Sequence, residues 1–260
     1  MGRRGRTVVV VWAALAVVAS AAELWDTKPF TQWTDKEIDK VLTDSPWAGK
    51  ASLTHAREGA NLGQVPDWKL IVTVQSALPI RQALARRTLG PGVAVTPEAE
   101  AALATPVPRY VLAISGIPRL YQTQLTKSAQ EARLKTKGKA PLAATEAAVL
   151  LIDKNGKIIT SPARGQLNAP GPRVVLVAQR GGGGAGGGAS GGGASGGFGG
   201  FGQAAEDKSG ITATLVLEFP KTAAVTIDDG RIELSTVVGA YNVQKEFKLK
   251  DMVFKGELAF

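Results

Sequence analysis

Between Gly181 and Gly202 the chain carries 15 glycines in 22 residues, and no other stretch so limits what it can fold into. Glycine loses more conformational entropy on ordering than any other residue, and here only Phe198 and Phe201 offer apolar area to offset it. The tract therefore reads as a disordered insertion with an r.m.s. span of about 25 Å as a flexible coil. Strand-like segments flank it, so a long loop between strands is preferred to a linker between domains. Loop closure costs rise only slowly with length, which makes such an insertion tolerable. A core has to come from the residues on either side.

Those residues segregate. Trp33-Thr34-Asp35-Lys36-Glu37-Ile38 contains a capping box, Thr34 with Glu37, and a hydrophobic staple, Trp33 with Ile38. A helix from Asp35 to about Thr43 should follow, with Ile38, Val41 and Leu42 on one face, ended by Ser45-Pro46. Two later segments share a strand, an S-[AG]-[LI]-P turn and a helix. One is Trp68–Val74, Ser76–Pro79 and Ile80–Leu89; the other is Tyr110–Ile114, Ser115–Pro118 and a helical run to about Leu134. Thr96-Pro97-Glu98 opens a short helix between them. Farther on, alternation dominates. Asn155-Gly156 predicts a hairpin between Ala148–Asp153 and Lys157–Thr160. Arg173–Ala178, Ile211–Phe219, Arg231–Thr236, Val243–Leu249 and Met252–Phe260 read as strands, with Asp228-Asp229-Gly230 as a turn. Ala48–Ala56, which includes His55, reads as one strand. About three helices early and about eight strands overall predict an α+β fold, two-layered, with helices against one face of a mostly antiparallel sheet.

The first 22 residues predict an address. Arg3, Arg4 and Arg6 precede an apolar run of about 11 residues, Val8–Val18, and then Ala19-Ser20-Ala21-Ala22. That is the layout of a secretory signal peptide, too short in its apolar part for a permanent transmembrane helix. The expected organisation is a signal peptide at 1–22, an N-terminal arm with its capped helix at 23–46, and a single α+β domain at 47–260 containing the 181–202 insertion. The mature chain is expected in the periplasm or outside the cell, without a transmembrane helix.

Side-chain inventory removes whole classes of chemistry. There is no cysteine, hence no disulfide, thiol nucleophile or thiolate metal site, and His55 is the only histidine. G-x-S-x-G occurs at Gly188–Gly192 and Gly193–Gly197, but a nucleophile elbow needs a strand before the serine and a helix after it. No P-loop, S-x-x-K or H-E-x-x-H pattern occurs. Asp153-Lys154-Asn155-Gly156 begins like a calcium loop, but its glycine is fourth rather than sixth. No catalytic, cofactor-binding or metal residue is assigned, and no cofactor is expected. The acids Asp35, Glu37, Asp39 and Asp44, and the pair Asp228-Asp229, read as capping and turn residues.

The net charge of +9 drops to about +6 once the leader arginines leave. Scattered lysines and arginines read as solvated faces, with attraction to an anionic envelope polymer as the functional alternative; no nucleic-acid-binding pattern is present. Trp25, Phe30, Trp33 and Trp47 crowd a short stretch. They read either as rings filling notches in the core or as an interaction surface for a glycan, a peptide or another envelope protein.

W-T-D-K-E-I at Trp33–Ile38, L-T-D-S-P-W at Leu42–Trp47 and F-K-L-K-D-M-V-F-K-G at Phe247–Gly256 resemble a group of uncharacterised exported bacterial proteins that pair an N-terminal W-x-D-K-E…S-P-W stretch with a β-rich end. The resemblance implies no activity and carries over no catalytic residue. The expectation is an exported, non-enzymatic binding protein. The alternatives are a carboxylate-dependent hydrolase of polysaccharide or peptide and a periplasmic carrier of a small hydrophobic ligand.

Overall fold

A computed structural model describes residues 23–57, 63–90, 93–153, 158–159, 164–166, 211–222 and 224–260. The leader, Asn155-Gly156, Arg173–Ala178 and the glycine tract lie outside the described residues.

The arm forms a single-turn helix α1 (Leu24–Thr27), a 3₁₀ turn at Phe30–Gln32 and helix α2 (Asp35–Thr43). The capping box is made in both directions: Thr34 N donates to Glu37 Oε2 at 2.7 Å, and Glu37 N donates to Thr34 Oγ1 at 3.4 Å. Ile38, Val41 and Leu42 are buried, as the helical spacing requires. Ser45 ends the helix by donating its hydroxyl to the Val41 carbonyl at 2.7 Å.

Next come β1 (Ala48–Lys50) and β2 (Ser52–His55). The expected single strand from Ala48 to Ala56 is broken at Ala51, whose N–H donates to the Leu70 carbonyl, and the two halves join different sheets. Strand β3 (Ile71–Val74) leads into α3 (Leu78–Leu89), which carries Pro79 in its first turn and stops at Gly90 with φ +81°. Helix α4 (Pro97–Ala104) follows, capped by Thr96.

Strand β4 (Arg109–Pro118) departs from expectation. Ser115–Pro118 belongs to the strand rather than to a helix start. A bulge between Ile114 and Ile117 absorbs Gly116, which sits at φ +84°. Ile117 is completely buried and pairs with Ala213, so tertiary packing extends the strand past the turn-like S-G-I-P. The helical part is delayed through a 3₁₀ turn at Arg119–Gln124 to α5 (Leu125–Glu131), and Leu134 falls in β5 (Arg133–Thr136).

The remaining strands are β6 (Leu142–Ala143), β7 (Glu146–Ile152), β8 (Arg164–Gln166), β9 (Thr212–Pro220), β10 (Arg231–Val238), β11 (Tyr241–Lys248), β12 (Val253–Phe254) and β13 (Glu257–Leu258). An antiparallel bridge joins Ile152 and Ile158, the flanks of the predicted hairpin.

The fold is α+β with antiparallel sheets, as the segregation of helices and strands predicts. It differs in two respects. Five α-helices are present among the described residues, α1 being too short for periodicity to announce and α5 covering only the later part of the helical run expected to about Leu134. The strands also divide into a six-stranded sheet, β1-β3-β4-β9-β7-β8, and a five-stranded sheet, β2-β11-β10-β5-β6, with β12-β13 as a separate hairpin. Strand β9, which follows the glycine tract in sequence, lies between β4 and β7, which precede it. Chain from both sides of the tract thus builds one sheet.

Cross-strand rows explain the core. Leu112, Leu217 and Ala147 lie side by side, as do Ile114, Leu215 and Val149. All six are buried. In β10 every second residue from Ile232 to Val238 is buried, the alternation of a one-sided sheet. Each fully buried aliphatic side chain contributes about 1.5–3 kcal/mol, so these rows hold the molecule without a cross-link.

Candidate functional site

The four aromatic residues named as a possible interaction surface are core residues. Exposure is 6% at Trp25, 9% at Phe30, 3% at Trp33 and 0% at Trp47. Trp25 meets Trp47 edge-on at 5.2 Å between ring centroids, Phe30 meets Trp33 at 6.5 Å, and Trp47 meets Phe254 at 6.3 Å. The Trp33 indole N–H donates to the Lys28 carbonyl at 3.0 Å. The arm folds over the body and closes the core with these rings, which leaves no ring face for a partner.

The acids of the arm are structural. Glu37 accepts from Lys28 Nζ at 2.7 Å and from the Thr34 backbone, and these bonds hold its pKa at about 2, below the usual 4.5. Asp39 pairs with Arg87. Asp229 accepts from Lys139 Nζ at 2.6 Å and from Thr226 N at 2.8 Å, which lowers its pKa too. A carboxylate whose pKa is depressed by folding stabilises the fold above its unfolded value and loses that contribution as pH falls through its folded value. For Glu37 the window runs from 4.5 down to about 2. We expect Glu37→Gln to melt below wild type at pH 7, with the gap closing as pH drops through that window. Melting curves that stay parallel from pH 5 to 2 would contradict it.

One carboxylate pair went unnoticed in the sequence. Glu146 and Glu218 stand opposite each other on β7 and β9. Arg109 Nη1 lies 2.5 Å from Glu146 Oε1 and 3.4 Å from Glu218 Oε2. Two like charges directly across a strand pair repel, and the guanidinium from β4 neutralises that repulsion. The acids come from 72 residues apart, so only the register of β9 unites them.

A second cluster was also missed. His55 ends β2, Trp68 precedes β3, Tyr121 lies in the 3₁₀ turn after β4, and Tyr241 begins β11. All four rings are half-buried. Trp68 stands 4.7 Å from Tyr121 and 5.1 Å from Tyr241, and His55 stands 5.5 Å from Tyr241. His55 and Tyr241 are register partners on the side of the sheet that carries buried Val243 and Phe247, at the end where that side opens to solvent.

Two glycines hold the cluster in shape. A Cβ at Gly116 would lie 2.5 Å from the Lys69 carbonyl oxygen, so the bulge admits the backbone next to Trp68 only because it has none. A Cβ at Gly239, φ +63°, would lie 2.5 Å from Tyr121 Cε1, so that ring can approach the β10–β11 turn only because Gly239 has no side chain. Burial, and secondarily the neighbouring Tyr241 hydroxyl, raise the Tyr121 pKa. The Tyr121 hydroxyl therefore keeps its proton at neutral pH. His55 Nε2 donates to the Gly63 carbonyl at 3.3 Å. The Trp68 indole N–H and the Tyr121 and Tyr241 hydroxyls have no hydrogen-bond partner among the described residues, and none is sealed from solvent.

Comparison with protein-family models, with curated proteins and with solved structures returns no match. No group of three or more acids or histidines placed to hold a metal ion occurs among the described residues. No helix among them is long and apolar enough to cross a membrane.

Proposed function

We propose that the chain is exported and acts by binding, with the Trp68–Tyr121–Tyr241–His55 cluster as its contact surface. One observation carries the reading: four ring-bearing side chains from four separate segments of the chain converge at the surface with unused hydrogen-bond donors. Half-buried aromatic rings supply contact area at low entropic cost, and their polar edges supply orientation. The leader and the resemblance of the two chain ends to exported proteins support delivery beyond the cytoplasmic membrane.

The hydrolase reading gains less. Glycoside hydrolysis by two carboxylates needs them to flank a substrate, one free to donate a proton. Glu146 and Glu218 are neighbours on one sheet surface and share one arginine, which suits a clamp better than an acid–base pair.

Two measurements test the proposal. N-terminal sequencing of the native protein should find the mature chain starting close to Glu23 in the envelope or medium. An uncut leader in the cytosol would refute export. Titration of ¹⁵N-labelled protein with envelope extract should move the Trp68 indole and Gly239 amide signals while the Trp47 indole stays still. Shifts confined to residues far from the cluster would place the contact surface elsewhere.

A further inference from the structure

We infer that the N-terminal arm is a strap that shuts the leader cleavage site, so that the leader is removed first and the core is completed only afterwards. This inference rests on the export reading above.

The bond to be cut adjoins folded chain. The leader pattern places hydrolysis after Ala21 or Ala22. One water adds across the peptide bond there, its oxygen to the alanine carbonyl carbon and a proton to the departing amine. From Glu23 onward the backbone is tied. The Glu23 carbonyl accepts from Asp26 N at 3.0 Å and from Thr27 Oγ1 at 3.2 Å, and Lys28 N donates to the Leu24 carbonyl at 3.0 Å. Trp25, three residues past Ala22, is buried with its ring edge-on to Trp47.

A peptidase cleft takes extended chain on both sides of the bond it cuts, and Leu24–Thr27 is helical. Cutting of a folded site tracks the population of its locally open form. Opening this site means withdrawing Trp25 from the core, so a docked arm protects the bond. Phe30 and Trp33, also buried, hold the same segment, and Glu37 holds Lys28 between them and Trp25. The Lys40–Glu23 pair, 3.8 Å apart and half-exposed at both ends, adds little.

The seat of Trp25 sets the order of events. Trp47 packs edge-on against Phe254 of the β12–β13 hairpin, at the opposite end of the sequence. A chain delivered amino end first exposes the cleavage site well before Phe254 arrives to finish that seat. The site is open while the body is incomplete and closes when the hairpin is in place.

The test uses the full-length precursor and a purified bacterial leader peptidase in detergent micelles, with a peptide of residues 8–28 as the unfolded reference. Mass spectrometry should find the peptide cut after Ala21 or Ala22. Precursor folded beforehand should be cut at least about ten-fold more slowly than precursor added straight from urea. Trp25→Ala frees the arm and Phe254→Ala removes the far wall of its seat. Each should speed cutting of folded precursor at least about five-fold. Lys40→Ala should change the rate by less than about two-fold. Near-ultraviolet circular dichroism shows whether the variants fold, and if either does not, the comparison of folded with urea-diluted wild type decides alone. Equal rates for those two wild-type samples, or no effect of Trp25→Ala and Phe254→Ala in folded protein, overturns the inference and leaves the leader reading standing. A reference peptide that stays uncut overturns the leader reading and the inference with it.

Discussion

Trp47→Ala is expected to lower stability by about 3–5 kcal/mol, among the largest losses available to a single substitution here. Trp47 has 0% exposure and joins two parts of the fold that are distant in sequence. Trp25 of the arm meets one edge of its ring and Phe254 of the β12–β13 hairpin meets another, at 77° and 89°. Truncation therefore removes transfer energy and also leaves a cavity that three elements must collapse into. In a chain of this size the melting temperature should fall by roughly 6–20 °C. Trp47→Phe should cost much less, because it keeps the edge contacts and removes an indole N–H that is buried without a partner. Urea unfolding of the two variants checks this. A cost below about 1 kcal/mol for Trp47→Ala would mean the ring does not bridge the arm to the body.

Gly116→Ala is expected to cost about 3 kcal/mol or more, and Gly138→Ala only about 1–2 kcal/mol. Both glycines have left-handed backbone, φ +84° and +74°. At Gly138 an added Cβ meets nothing within 4 Å, so only the backbone preference is lost. At Gly116 the same atom meets the Lys69 carbonyl oxygen at 2.5 Å and its carbon at 3.3 Å. Backbone cannot swing away as the end of a side chain can. Either the β4 bulge or the segment carrying Trp68 has to shift. Gly116→Ala should therefore also change the near-ultraviolet circular dichroism of the ring cluster, while Gly138→Ala leaves it unaltered. Equal costs for the two variants would remove the close approach from the account.

Legibility in the sequence followed the range of the interactions. Thr34 and Glu37 announce a capping box because both partners lie within one helical turn. Thr96-Pro97 and Asp228-Asp229-Gly230 work likewise. The alternation of β10 survives because one of its sides is buried. By contrast, Ser115-Gly116-Ile117-Pro118 carries the same local chemistry as Ser76-Ala77-Leu78-Pro79 but a different structure. Ile117 is pulled into the sheet by Ala213, far along the chain. Ala51 reads as mid-strand, yet its bond to Leu70 turns the chain from one sheet into the other.

The candidate site was hidden for the same reason. Trp25, Phe30, Trp33 and Trp47 drew attention by their closeness in sequence, and closeness in sequence here reflects an arm that seals the core. His55, Trp68, Tyr121 and Tyr241 are scattered, and nothing local ties them together. The nearest hint was Gly239 at the β10–β11 turn, but a glycine in a hairpin turn is ordinary.

From its residues alone the chain determined its class: α+β with mostly antiparallel strands, no cross-links, no thiol chemistry, and a leader-like start. These follow from composition, short-range periodicity and capping, which need no partner beyond a few residues. The tertiary structure decided how the strands divide between two sheets, which tryptophans are buried and which reach the surface, and where Glu146 meets Glu218. Each of those depends on register between strands far apart in the chain, and register is set by the burial of whole rows at once rather than by any local run of residues.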